Sequence, residues 1–338
     1  MMDGVRIAVI GATGAVGQVF LKLLEERNFP ASQIRLCASE RSLGKRIIVN
    51  HTDLIIESPT KDLFNEVDIV FISATGDVSQ ELAPMAVDNG SLVIDDSSVF
   101  RMDPDVPLVV PEVNLGDIDL HRGIIAIPNC STTPLVMVLK PLNDINPVKR
   151  VIVDTYQSVS GTGSVAVNEL GAQSKVALDG GTAAAGVYPH PIAFNVIPHI
   201  ESFLENTYTR EEMKMLNESR KILHDPNLKV SATCVRVPVM VGHSESIHIE
   251  MEHDVNVSEM REILSESPGI RMLDEPSSNL YPTPLDAAGK DDVFVGRLRQ
   301  DISGSNSVAM WVVCDNLRKG AALNAIQIAE AILEKNLI

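Results

Sequence analysis

Apolar runs of strand length alternate with stretches of helical spacing through the first third of the chain. Val5-Arg6-Ile7-Ala8-Val9-Ile10 is a β-branched run with a single charge near its start, the pattern of a parallel strand covered on both faces. It runs into Gly11 to Gly17, a turn punctuated by three glycines, after which Val16, Val19, Phe20, Leu23 and Leu24 recur at helical spacing. Further strands are expected over 34–39, 68–73 and 92–94, with a helix over 79–89 and short apolar runs at Val109-Val110 and 124–127. Repetition of strand, helix and strand predicts a doubly wound parallel sheet.

After Pro128 the pattern changes. The segments 151–156, 232–240, 246–252 and 308–314 alternate in part: Ile247, Ile249 and Met251 share one face, and His248, Glu250 and Glu252 the other. This predicts a largely antiparallel sheet with one solvated or sparsely covered face. Residues 161–186, rich in Gly, Ala and Ser, are expected to hold a helix and a mobile loop. The chain closes on a helix whose stripe is Ala321, Ala325, Ile328, Ala329 and Ile332, with Asp315 or Asn316 as its cap. No repeat of fixed period is present, and two domains are the expectation for 338 residues.

Composition narrows the chemistry. Aromatic residues are 4% of the chain against 45% hydrophobic, so Val, Ile, Leu and Ala must fill the core. A formal charge of −17 argues against nucleic acid or an anionic membrane as partner, while leaving room for a local basic pocket that takes small anions. Cys37, Cys130, Cys234 and Cys314 form no CxxC pair, so no metal site is expected and inert thiols in a reducing cytosol are the plain reading. There is no basic-then-apolar leader and no apolar stretch near the ~20 residues that span a bilayer. A soluble cytoplasmic protein is expected.

Three segments carry candidate chemistry. Gly11, Thr13, Gly14, Ala15 and Val16 lie in a strand–turn–helix context, where bare backbone and a helix start suit a pyrophosphate, although such glycines also serve tight turns alone. The second strand leads into Ser39-Glu40-Arg41-Ser42. An arginine between hydroxyls suits a 2′-phosphate and favours NADP over NAD, with a solvated basic loop as the plain alternative. Cys130 stands in Pro128-Asn129-Cys130-Ser131-Thr132-Thr133, a polar turn at a helix start rather than a core position, where the helix dipole favours a thiolate nucleophile. A base is then needed. His243, in Gly242-His243-Ser244 between two strands, is one candidate among eight histidines, and a hairpin turn is its alternative. Arg236 sits in an apolar strand seven residues earlier, where a bound carboxylate is a sensible partner.

Over essentially its full length the chain resembles the aspartate-semialdehyde dehydrogenase family. The matching segments are the Gly11–Gly17 turn, Ser39-x-Arg41-Ser42-x-Gly44-Lys45, Ser97-x-x-Phe100-Arg101-Met102, Pro128-Asn129-Cys130-Ser131-Thr132, and Gln157-x-Val159-Ser160-Gly161. To these are added Glu211-x-x-Lys214, Arg236-Val237-Pro238-Val239-x-x-Gly242-His243, and Asp315-Asn316-Leu317-Arg318-Lys319-Gly320-Ala321-Ala322. The resemblance implies attack of Cys130 on L-4-aspartyl phosphate, loss of phosphate to give an acyl-thioester, and reduction by NADPH to aspartate semialdehyde. It implies His243 as proton acceptor and donor, Gln157 as the residue orienting substrate, Arg236 on the α-carboxylate and Glu211 on the ammonium. Arg101, Asn129 and Lys214 resemble the phosphate site; Thr13 to Val16, Arg41-Ser42, Ser160-Gly161 and Asn316 resemble NADP contacts. Helix-start chemistry remains open for Glu211-Glu212 and a cap role for Asn316.

The same resemblance implies an α/β architecture: a Rossmann-type NADP-binding domain over 1–128, completed by a C-terminal helix at 316–338, and a mixed α+β catalytic and dimerisation domain over 129–315. A homodimer follows from it. The nearest rival enzyme is N-acetyl-glutamyl-phosphate reductase, whose nucleophile follows a glycine absent between Asn129 and Cys130. A non-catalytic Rossmann sensor is the rival of another class, and it would not need Cys130, Gln157, Arg236 and His243 together.

Overall fold

A computed structural model describes residues 4–338. The chain forms two units, Met1–Asn129 with Ala321–Ile338, and Cys130–Gly320.

The sheet of the first unit comprises β1 (Val5–Ile10), β2 (Ala31–Cys37), β3 (Arg46–Val49), β4 (Thr52–Glu57), β5 (Ile69–Ile72), β6 (Leu92–Asp95) and β7 (Ile124–Ala126), in the order β3-β4-β2-β1-β5-β6-β7. Every junction is parallel except β3–β4. The central strands β1 and β5 are buried almost throughout, as unbroken apolar runs must be when helices cover both faces. Helix Ala15–Glu26 and the last helix, Leu323–Glu334, share one core with Phe20, Leu23, Leu24, Ile326 and Ile328. Helix Gly76–Asp88 closes the other face through Leu82, Ala83 and Ala86. Chain direction away from β1 reverses between β2 and β5, which places a ligand crevice at the carboxyl end of β1, at the Gly11 turn. Val109-Val110 is not a strand; only Leu108 bridges to Ala126.

The second unit holds β8 (Val148–Gln157), β9 (Lys229–Arg236), β10 (His243–Met251), β11 (Ile270–Met272), β12 (Val293–Gln300) and β13 (Ser307–Cys314), in the order β11-β12-β13-β10-β8-β9. Junctions at β8–β10, β10–β13 and β12–β13 are antiparallel, but β8–β9 and β11–β12 are parallel, so the sheet is more mixed than alternation alone suggests. Helices Thr132–Ile145, Arg210–Ile222 and Val257–Glu266 pack against it. On the opposite side Ile152 and Tyr156 are exposed beside Trp311. Helix Ser164–Leu178 falls inside the Gly/Ala/Ser-rich stretch.

The expected cap of the last helix works differently. A π-turn at Arg318–Ala322 precedes the helix, and Asp315 caps that turn by accepting from the N–H groups of Leu317 (2.8 Å) and Arg318 (3.2 Å). Asn316 is turned elsewhere. No helix among the described residues is long and apolar enough to cross a membrane.

Candidate active site

In the first unit the glycine turn is required by its geometry. Gly11 has φ +87°, and a methyl group there would lie 2.0 Å from the Ser73 carbonyl oxygen. One at Gly17 would lie 2.2 Å from the Gly11 oxygen, so only bare backbone lets the helix follow β1 this tightly. The helix begins at Gly14 with no side-chain cap, and Thr13 and Gly14 are exposed, so its first N–H groups can receive a phosphate. Ser39 precedes the short turn Glu40–Ser42 after β2; Arg41 is exposed and forms no ion pair among the described residues. These features fit a dinucleotide.

Arg101 lies in the same unit, buried, with Nη2 donating to the Asp96 carbonyl at 2.8 Å. Its surroundings are acidic. Burial pushes the Asp96 carboxyl up to about 6 despite Arg101. Asp95 is also raised by burial, although Ser79 and Ser97 hydroxyls each donate to it at 2.6 Å.

The remaining site residues belong to the second unit. Cys130 precedes helix Thr132–Ile145, whose N-cap is Ser131. It is half-buried, whereas Cys37, Cys234 and Cys314 are buried. Burial pushes the Cys37 thiol up to about 12 and raises Cys234 and Cys314 as well, so those three are inert thiols. Gly320 packs directly on Cys130: a methyl group there would lie 3.0 Å from the Cys130 Cβ.

His243 opens β10 and is 1% exposed. The Ser158 N–H donates to its Nδ1 at 3.0 Å, so the neutral ring carries its proton on Nε2. Burial, then the Arg236 charge, depresses its pKa to about 3, and the ring is neutral at pH 7. Ser158 Oγ is also 3.0 Å from Nδ1 and donates to Asn316 Oδ1 at 3.1 Å. Asn316 further joins Ser160 Oγ (3.0 Å) and the Gly242 N–H (2.9 Å). Asn316 is therefore a buried strut under the His243 turn rather than a helix cap.

Gln157, at the end of β8, donates to Glu211 Oε1 at 3.0 Å and accepts from Thr155 Oγ1 at 3.0 Å. The adjacent glutamates divide their roles. Glu212 completes a capping box with Thr209, while Glu211, 4% exposed, faces Gln157 and accepts from Lys214 Nζ at 2.9 Å. Lys214 also meets Glu201 at 2.5 Å. Two carboxylates thus neutralise Lys214 before any phosphate arrives.

Arg236 ends β9, buried, with Nη1 donating to the Ser158 carbonyl at 2.6 Å and its guanidinium 5.7 Å from the centre of the Tyr188 ring. Its Nε has no hydrogen-bond partner among the described residues, and neither has His243 Nε2. A methyl group at Gly161 would lie 3.2 Å from both Arg236 Nη1 and His243 Nε2. Arg236 and His243 thus meet beside Gly161: Arg236 Nη1 there is held by the Ser158 carbonyl, while His243 Nε2 and the Arg236 Nε edge remain available to an anion.

The structure therefore joins His243, Ser160, Gly161, Arg236 and Asn316 in one cluster, and Gln157, Glu211 and Lys214 in another, on adjacent strands. Arg101, Asn129 and the dinucleotide residues belong to the other unit. Ser158, Tyr188 and Gly320 were not anticipated as contributors; Ser158 lies inside the Gln157–Gly161 segment and was the readable one. Among the described residues no group of three metal-binding side chains occurs.

Comparisons with known proteins agree with this geometry. Residues 6–121 match the family model described as semialdehyde dehydrogenase, NAD binding domain, and residues 139–319 that described as semialdehyde dehydrogenase, dimerisation domain. An aspartate-semialdehyde dehydrogenase of Aquifex aeolicus is 51% identical, covering 99% of this chain and 100% of the relative. The structure resembles aspartate semialdehyde dehydrogenase II of Vibrio cholerae complexed with ASA (TM-score 0.95, 44% identity, 98% of each chain). It also resembles the Candida albicans enzyme with NADP (TM-score 0.77, 28% identity, 99% of this chain and 100% of that one).

Proposed function

The chain belongs to the aspartate-semialdehyde dehydrogenase family, and from that membership we propose how its own residues carry the reaction. It is an oxidoreductase using a nicotinamide cofactor. In our reading the cofactor is NADP, held at the Gly11 turn with Arg41 on the 2′-phosphate, and the substrate is L-4-aspartyl phosphate. Cys130 attacks the acyl carbon, the bond from that carbon to the phosphate oxygen breaks, and phosphate leaves with the thiol proton. An acyl-thioester remains on Cys130. The bound cofactor supplies a hydride. The carbon–sulfur bond then breaks, releasing aspartate semialdehyde and restoring Cys130.

His243 donates from Nε2 to the oxygen that gains charge at each tetrahedral stage. Arg236 offers its Nε edge to the α-carboxylate. Glu211, paired with Lys214, meets the ammonium, and Gln157 fixes Glu211 while facing the substrate. Arg101 and Asn129 take the phosphate; the two carboxylates on Lys214 favour its serving Glu211 instead. A cytoplasmic homodimer belongs to the same reading.

The observation that carries it is that two buried side chains, Arg236 and His243, meet at Gly161, each with one nitrogen unpartnered among the described residues. Incubation with aspartate semialdehyde, phosphate and NADP should generate NADPH absorbance. It should vanish without phosphate and fall at least ~10³-fold in Cys130→Ser, because an alkoxide forms far less readily than a thiolate. Phosphate-independent reduction, or an active serine variant, would remove Cys130 and the acyl-phosphate step from the mechanism.

A further inference from the structure

Beyond helix Ser164–Leu178 the chain runs without helix or strand past Tyr188, but two side chains of that helix fasten it. Gln173, 5% exposed, accepts through Oε1 from the N–H groups of Ile192 (2.8 Å) and Ala193 (3.1 Å) and donates through Nε2 to the Ala184 carbonyl (2.8 Å). Glu169, one turn earlier, accepts from the Val187 N–H at 2.6 Å and from Gln173 Nε2 at 2.8 Å. These bonds lie on both sides of Tyr188. Its side chain packs with Val187 against the small apolar core of Val159, Ala166, Leu170, Ile192 and Ile197. Its hydroxyl donates to Thr162 Oγ1 at 2.9 Å. A stretch whose composition predicts mobility is thus held so that it presents one aromatic ring.

What the ring meets is Arg236, whose guanidinium carbon lies over it, 5.7 Å from the ring centre. The guanidinium is buried, and its bond from Nη1 to the Ser158 carbonyl leaves Nε without a partner among the described residues. No carboxylate forms an ion pair with it among the described residues; Glu211, facing the same strands, is paired with Lys214. A buried cation needs compensation. A carboxylate would supply it and cancel the charge. The negative face of an aromatic ring stabilises the cation and uses up no N–H, so the Nε edge stays open to an anion. The anchoring is local: Gly161 lies against Arg236 Nη1, and the next residue, Thr162, receives the Tyr188 hydroxyl.

We propose that Tyr188 is a positioning residue for Arg236: the fastened loop lays its ring over the guanidinium and so presents the Nε edge, already oriented, to the carboxylate of the substrate. A guanidinium held in advance loses less freedom when the carboxylate arrives, and the gain appears as affinity. It belongs to the carboxylate end of the substrate alone. The effect therefore falls on KM for aspartate semialdehyde, and not on KM for phosphate or on kcat. The proposal rests on Arg236 being the α-carboxylate site.

Steady-state kinetics of the full-length enzyme in the oxidative direction test it. Tyr188→Leu should raise KM for aspartate semialdehyde roughly 3–30-fold, the range of a partly desolvated cation–π contact, while kcat and KM for phosphate change less than ~2-fold. Tyr188→Phe keeps the ring and loses only the bond to Thr162, so it should stay within ~3-fold of wild type. In a double-variant cycle, Tyr188→Leu added to Arg236→Leu should raise KM no further, because the cation it served is gone. Gln173→Met unfastens the loop and leaves ring and guanidinium in place; it should give the same selective rise in smaller measure, and it serves if the Leu variant folds poorly. A wild-type KM in Tyr188→Leu or Gln173→Met, a Phe variant as impaired as the Leu one, equal weakening of phosphate, or additive effects in the double variant overturns the proposal. Arg236→Leu alone separates the two levels. An unchanged semialdehyde KM there sinks the carboxylate assignment, whereas a raised KM beside a wild-type Tyr188→Leu sinks only the role of Tyr188.

Discussion

Arg236 and Arg101 are both buried guanidiniums, but their neighbours differ: a carbonyl, an aromatic face and a histidine for the first, two aspartates for the second. On the proposed reading they serve different anions, the α-carboxylate and the phosphate. Arg236→Leu should raise KM for aspartate semialdehyde roughly 10–100-fold, the ~1.5–3 kcal/mol of a charge-assisted hydrogen bond, with little change for phosphate. Arg101→Leu should do the reverse. Arg236→Lys should recover only part, since it keeps the charge and loses the fork. Steady-state kinetics in the oxidative direction, varying each substrate, decides it; equal weakening of both by both variants would make the arginines structural. Gly320 gives a steric counterpart. A methyl group 3.0 Å from the Cys130 Cβ must displace that residue, so if Cys130 is the proposed nucleophile, Gly320→Ala should lower kcat more than ~10-fold with KM nearly intact. An unchanged kcat would show that Cys130 tolerates the shift.

Elements set the tolerance of the site. The Thr209–Glu212 capping box begins the helix whose first turn also carries Glu211, so Thr209→Ala should cost about 1 kcal/mol in urea unfolding and raise KM for the semialdehyde in parallel. The start of β10 makes stability respond to acid. His243 binds its proton near 3 in the folded chain against 6.5 as its ordinary value, so between those values the unfolded chain holds more protons and stability falls as pH falls. His243→Gln should flatten that decline, measured as the urea midpoint from pH 7 down to 4; an unaltered slope would mean that the ring is not held neutral. Apolar runs such as β1 and β5 were legible because burial on both faces leaves an unmistakable pattern. The β3–β4 hairpin was not, since Arg46-Ile47-Ile48-Val49 and Thr52-Asp53-Leu54 mix charge with apolar residues at an edge that solvent reaches. Motif positions located the chemistry, but Asn316 as a strut to Ser158 and Ser160 depends on a fold through 156–158 residues of separation, which no local spacing reveals.

At the scale of the molecule, the second unit leaves Ile152 and Tyr156 exposed beside a half-buried Trp311 on one side of its sheet, in the segment matching a dimerisation domain. A second copy of the chain is the expected cover. Tyr156→Glu should therefore shift the mass measured by light scattering from dimer to monomer, and a dimer that persists would place the interface elsewhere. The first unit has a different peculiarity: its chain leaves at Asn129 and returns at Ala321, and Leu323, Ile326 and Ile328 of the final helix belong to its core. On the ribosome this means that the opening strands wait, with a helix-sized apolar strip bare, while all of Cys130–Gly320 is translated, roughly 10–40 s at ~5–20 residues per second. The cofactor-binding half cannot finish folding until Leu323–Glu334 has emerged, so a helix made late closes a sheet made early. A nascent chain halted at Gly320 should be protease-sensitive across β1–β7 and a client for chaperones, and a premature stop there should remove cofactor binding while sparing every codon of the glycine turn.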